Sequence, residues 1–213
     1  MNAEDLATAE KILQSFAGDK PVKIYEREGM DGRFSSALYF VLCPHLSVVD
    51  PSRPVSDSMA TQDMIKAFNA AASQVTFASP IFLDDDRGFL NPEHVLRYAE
   101  AKRLRDKIAE VLGLTPEEAD YVRVTVTPLS ETRNFVSPPD ASIAVKLNKP
   151  HTFKIIAALR KLLNDPAYMN YTPEEDQGSI DQFIKPEKLY TALKLKIPEN
   201  MRMPPPRNVV NAM

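Results

Sequence analysis

Residues 21–42, PVKIYEREGMDGRFSSALYFVL, decide the fold class. Val22 and Ile24 alternate with Lys23 and Tyr25, the period of two that turns apolar side chains to one face of a half-buried strand. GMDG at 29–32 supplies turn residues, and RFSSALYFVL at 33–42 reads as a second strand. Strands this close in sequence pair antiparallel, because a parallel pair needs a crossover of about a dozen residues or more. The chain therefore contains a hairpin rather than a strand–helix–strand repeat.

Helical patterns flank the hairpin on both sides. Upstream, Leu6, Ala9, Leu13 and Phe16 recur at helical spacing, and Gly18 follows as a stop. Downstream, CPHLSVVDPSRPVSD (43–57) contains three prolines and reads as a connection. SMATQDMIKAFNAAAS (58–73) then puts Met64, Ile65, Phe68 and Ala72 on one face of a helix. QVTFASPIFL (74–83) is a strand interrupted by Pro80, which belongs at an edge or a bulge.

The clearest helix is NPEHVLRYAEAKRLRDKIAEVLG (91–113). Asn91 can cap it, Pro92 suits its first turn, Glu93 favours the positive end, and Gly113 ends it. Its apolar stripe is Tyr98, Ala101, Leu104, Ile108 and Val111. YVRVTVTPL (121–129) and ASIAVKL (141–147) are strands joined by SETRNFVSPPD, too long for a tight turn. TFKIIAALRKLL (152–163) is a helix with Phe153, Ile156, Leu159 and Leu163 inward. DPAYMNYTPEEDQGSIDQF (165–183) is polar and acidic with weak periodicity, and KPEKLYTALKLKIP (185–198) is one short helix or strand.

Hairpins interspersed with helices read as α+β: a mixed or antiparallel sheet packed with about four helices. One domain over 1–185 is expected, with an extended Pro-rich arm over 186–213. At 44% hydrophobic residues the chain can bury a sizeable core.

Composition narrows the function classes. A net charge of −3 gives no support for a nucleic-acid partner. No apolar run approaches the roughly 18–20 residues that span a bilayer, so no membrane insertion is expected. MNAEDLATAEKILQSF lacks the basic start and apolar centre of a secretory signal, which implies a cytoplasmic or other intracellular location. Six glycines, scattered at 18, 29, 32, 88, 113 and 178, build no phosphate-cradling loop, and no cofactor is expected. One cysteine, Cys43, excludes an internal disulfide and a cysteine-based zinc cluster.

Each polar cluster reads more readily as structure than as chemistry. In DDDR (84–87) only Asp84 and Asp86 share a face in extended chain, and the spacing of a calcium loop is missing, so a solvated turn explains it. Cys43 lies two residues from His45, but a cysteine that ends the apolar run ALYFVL is better read as core than as a nucleophile. His94 and His151 sit near helix starts, without metal-ligand spacing. Arg97, Lys102, Arg103, Arg105 and Lys107 are interleaved with Glu93, Glu100, Asp106 and Glu110, as on a solvated face laced by i,i+4 pairs. No catalytic or metal-ligating residue is assigned.

YVRVTVTPLSETRNFVSPPDASIAVKL, with the helix after it, resembles the ring-building motif of flagellar and type III secretion inner-ring proteins. The shared features are Arg123-Val124 entering a strand, Pro128 near its end, Pro139, and Ala141-Ser142-Ile143 opening the return strand. The resemblance runs from about residue 95 to 165 and implies a helix–strand–loop–strand–helix unit with a protruding loop. The membrane helices, signal and lipidated cysteine of those families have no counterpart in these residues, and family membership is not inferred.

The C-terminal stretch PENMRMPPPRNVVNAM carries the functional expectation. Pro204, Pro205 and Pro206 favour an extended polyproline conformation, which loses less entropy on docking than ordinary coil. Met201, Met203, Val209 and Val210 are apolar anchors around it, and Arg202 and Arg207 add charge. From residue 182 onward six basic residues stand against two acidic ones, a net +4, directly after a stretch that holds Glu174, Glu175, Asp176 and Asp181. The expected role is a non-enzymatic subunit of a multi-copy complex, a virion or similar machine, whose arm binds other protein subunits as a homo-oligomer or hetero-assembly. The alternatives are an enzyme whose site forms only in three dimensions and a nucleic-acid-associated module with a basic face built from distant segments.

Overall fold

A computed structural model describes residues 2–27, 38–44, 57–76, 82–84, 89–90, 92–127, 142–147, 152–164 and 180–198. Six helices and seven strands lie among them, and the class is α+β. The helices are α1 (Ala3–Gln14), α2 (Ser58–Val75), α3 (Pro92–Leu112), α4 (Pro116–Ala119), α5 (Thr152–Leu163) and α6 (Pro186–Ala192). The strands are β1 (Lys23–Arg27), β2 (Leu38–Leu42), β3 (Phe82–Asp84), β4 (Phe89–Leu90), β5 (Val122–Thr127), β6 (Ser142–Leu147) and β7 (Ile180–Ile184). The chain divides into two compact units, 1–102 and 103–213, and the division falls within α3.

In the first unit the strands run β1-β2-β4-β3, every neighbouring pair antiparallel. β1 and β2 form the expected hairpin, in register from Lys23 opposite Leu42 to Arg27 opposite Leu38. Val22 and Ile24 are buried, as the alternation requires. The strand expected over 74–83 is corrected at its start, since Gln74 and Val75 belong to α2; β3 lies at the sheet edge, and its register shifts between Phe82 and Asp84. β4 is too short to leave a periodic signal. α1 packs on β1 and α2 on β2. Met64, Ile65, Phe68 and Ala72 of α2 are buried as expected, with Ala9 and Leu13 of α1. Phe68 stands edge-on to Phe16, 5.4 Å between ring centroids, and to Tyr98 at 5.0 Å, a geometry that adds to simple burial.

α1 also closes the outer edge of β1. Gln14 accepts from the Val22 amide through Oε1 at 3.0 Å, while its Nε2 donates to the Gly18 and Lys20 carbonyls. One helical turn earlier, Glu10 accepts from the Ile24 amide at 3.0 Å and pairs with Lys23. Side chains four apart on a helix meet amides two apart on a strand, and two outward donors of an edge strand are satisfied.

In the second unit β5, β6 and β7 form an antiparallel sheet in that order. Val122, Val124 and Val126 face the core, while Arg123 and Thr125 between them are half-buried. α5 packs on β6 and on α6. Leu104 and Ile108 of α3, Ile155, Leu159 and Leu163 of α5, and Leu189, Tyr190 and Leu193 at α6 complete the core. From α3 the elements run α3–α4–β5–β6–α5, so the short α4 interrupts the implied helix–strand–loop–strand–helix order, and 128–141 lie outside the described residues.

Three further expectations need correction, on the number of helices, on Val111 and on the stretch that ends in β7. Six helices are present among the described residues, because α4 and α6 are too short to show a full apolar stripe. Val111 is 43% exposed, since the helix has rotated past the core by its last turn. On α5, Leu159 and Leu163 are buried as expected, with Ile155 beside them, and the side chains of Phe153 and Ile156 lie outside the described residues. The stretch read as aperiodic ends in strand β7, whose sequence IDQFI sets the polar Asp181 and Gln182 side by side and so breaks the alternation.

Helix ends in the second unit follow one scheme with different residues. After α3, the Gly113 amide donates to the Glu110 carbonyl and the Leu114 amide to the Ala109 carbonyl, the paired bonds of a Schellman motif. Gly113 takes φ +63°, which glycine adopts without a steric cost. α6 ends in the same way, with Lys194 to Thr191 and Leu195 to Tyr190, but the left-handed position is held by Lys194 at φ +55°.

Candidate functional site

The residues expected to bind partners, Met201, Arg202, Met203, Pro204, Pro205, Pro206, Arg207, Val209 and Val210, lie outside the described residues. What the structure describes is the base of that segment. Residues 186–193 form α6 and its cap, with Leu189, Tyr190 and Leu193 buried, and Arg103 lies over the Tyr190 ring at 5.8 Å. The Schellman bonds at Lys194 then turn the chain out of the helix, and Leu195–Pro198 follow without regular structure.

The other candidates come apart. Cys43 is fully buried, its amide donating to Thr61 Oγ1 at 3.0 Å and its carbonyl accepting from the Asp57 amide at 2.8 Å. Burial pushes its thiol above the ordinary range, while the hydrogen bond with Thr61 pulls the other way. A nucleophilic cysteine needs the reverse shift. His45 and His151 lie outside the described residues, and His94 is half-buried in the first turn of α3. Asp84 is in β3 opposite Phe89, whereas Asp86 lies outside the described residues. Among the described residues no group of three or more His, Cys, Asp or Glu is placed to hold a metal ion. None of the described helices is long and apolar enough to cross a membrane.

The basic run on α3 is resolved side chain by side chain. Arg97 pairs with Glu93 at 3.3 Å, the expected i,i+4 contact, and Lys107 pairs with Glu110 at 2.8 Å. Arg105 departs from a solvated face. Its Nε donates to the Val122 carbonyl at 2.9 Å, and its Nη2 donates to the Ala119 carbonyl at 2.8 Å and to Asp120 Oδ1 at 3.0 Å. One guanidinium thus ties α3 to the start of β5, using the fork of donors that a lysine lacks. No periodicity marks that role, because its acceptors are backbone carbonyls. The unexpected helix α4 opens on a capping box: Thr115 Oγ1 accepts from the Glu118 amide, and Glu118 Oε2 accepts from the Thr115 amide. The spacing TPEE carries that signature in sequence.

These polar groups share one use. Glu10, Gln14, Asp57, Thr61, Arg105 and Glu118 all bind backbone groups of their own unit. No protein-family model, curated protein or solved structure matches this chain.

Proposed function

We propose that this chain is a non-enzymatic structural subunit of a larger multi-copy complex, a virion or similar machine, and that the arm expected over 186–213, whose first residues form α6, contacts neighbouring subunits through residues 199–213. The observation that carries the reading is the sequence of the arm set against the base from which it leaves. α6 is locked by buried Leu189, Tyr190 and Leu193, and its last turn is closed by two backbone bonds. Immediately beyond comes a segment with three consecutive prolines, two arginines and apolar residues too few to form a core. A stiff segment on a firm base loses little entropy when it docks. The internal use of the described polar side chains supports the same reading.

Deleting residues 199–213 tests it. The truncated chain keeps the thermal stability of the full chain, because every buried residue of α6 remains, while its sedimentation shifts to smaller species. Equal assembly of the two chains would remove the arm from the account.

A further inference from the structure

If the arm contacts neighbouring copies, it needs a surface on them, and the sheet edges narrow the choice. Unpaired strand edges are templates for another strand, and proteins blunt those they do not use. The outer side of β1 is closed by Glu10 and Gln14. β3 is three residues long and irregular in register. At β5 the guanidinium of Arg105 takes the Val122 carbonyl. β5 and β7 are the two edge strands of their sheet, each regular in register and paired among the described strands with β6 alone, and charge separates them: β5 carries Arg123, which repels a basic arm, whereas β7 carries Asp181.

The geometry points to β7 of a neighbouring copy as the strand to which the arm adds. This rests on the arm reading above and names its docking surface. The occupant is the proline-free end of the arm, Arg207–Met213, since Pro204–Pro206 have no amide to donate to a ladder. Val209 and Val210 are β-branched and suit a strand. Charge favours the same pairing between copies. β7 carries Asp181, and the sequence leading into it holds Glu174, Glu175 and Asp176. The arm brings Arg202 and Arg207. Main-chain bonds supply the attraction, and opposite charges set the partner and direction. A contact of one patch with a different patch on the next copy is heterologous and builds rings or filaments.

The test is amide hydrogen exchange on the full chain, read together with its native mass. In the assembled protein, amides of 180–184 that exchange freely in the dissociated chain slow by about tenfold or more. The double variant Val209→Pro, Val210→Pro removes two arm donors without touching the described fold, and should abolish both the protection and the assembly. The control Val209→Thr, Val210→Thr keeps β-branching and both amides, and should retain both. Assembly that depends on the arm while β7 amides are unchanged overturns the docking site and leaves the arm reading standing. Protection of β7 in a monomer shows docking within one chain and overturns the contact between copies. A full chain that never assembles overturns both.

Discussion

Replacing Arg105 by methionine keeps most of the side-chain volume and removes all five donors, so it isolates the guanidinium. The Arg105 side chain is only 12% exposed, and it holds the Val122 and Ala119 carbonyls at 2.9 and 2.8 Å. A hydrogen bond from a charged donor contributes roughly 1.5–3 kcal/mol. Taking the low end for each, because a stranded carbonyl recovers some water, gives a loss of about 3 kcal/mol for Arg105→Met. Asp120 makes the third contact at 3.0 Å but is 76% exposed, and an ion pair there is screened. Asp120→Ala should cost less than about 0.5 kcal/mol. Arg105→Lys should fall between the two, since one ammonium cannot reach both carbonyls in the geometry of the fork. Urea unfolding followed by circular dichroism gives the three values, with the slope unchanged if only the native state is affected. If Asp120→Ala costs as much as Arg105→Met, the surface ion pair rather than the backbone bonds fastens α3 to β5, and the assignment of Arg105 fails.

Three further outcomes follow from the core, a helix end and the thiol. Leu104→Ala and Ile108→Ala, both fully buried, should each destabilise by about 2–5 kcal/mol, whereas Val111→Ala at the exposed end of the same helix should cost little by urea melt. Lys194→Gly should stabilise by up to about 1 kcal/mol in thermal unfolding, because the left-handed φ of +55° strains any side chain; a loss of stability would mean that the lysine side chain holds the turn. Cys43 keeps its proton in the folded state to higher pH than in the unfolded state. Its contribution to stability is therefore full below the ordinary thiol range and is lost as pH rises through and beyond it. Cys43→Ala should flatten that alkaline decline, and alkylation of the native thiol should track unfolding rather than thiolate fraction.

The helices α2, α3 and α5 and the strands β1, β5 and β6 were legible because each carries a clean period of 2 or 3.6 over five or more residues, and β2 because it is a short apolar run after a turn signal. β7 escaped because its sequence IDQFI holds two adjacent polar residues, Asp181 and Gln182, and so shows no clean alternation. Helix ends were legible at Gly113 and at Leu163, and hidden where Lys194 takes the left-handed position instead of glycine. Cys43 as a core residue could be read from the apolar run before it. The Arg105 clamp could not, since a side chain that binds backbone carbonyls leaves no partner residue in the sequence. Glu10 and Gln14 look like ordinary exposed positions of an amphipathic helix, and only the placement of α1 beside β1 shows why they are a carboxylate and an amide.

The central claim, that this chain works as one of many copies, is tested most directly by the mass of the native full chain measured by light scattering near neutral pH. A single chain weighs 23.9 kDa. The native mass should be a multiple of that value, falling toward the single-chain mass when residues 199–213 are removed. A full chain that stays at 23.9 kDa at every concentration and takes up no partner protein would contradict it.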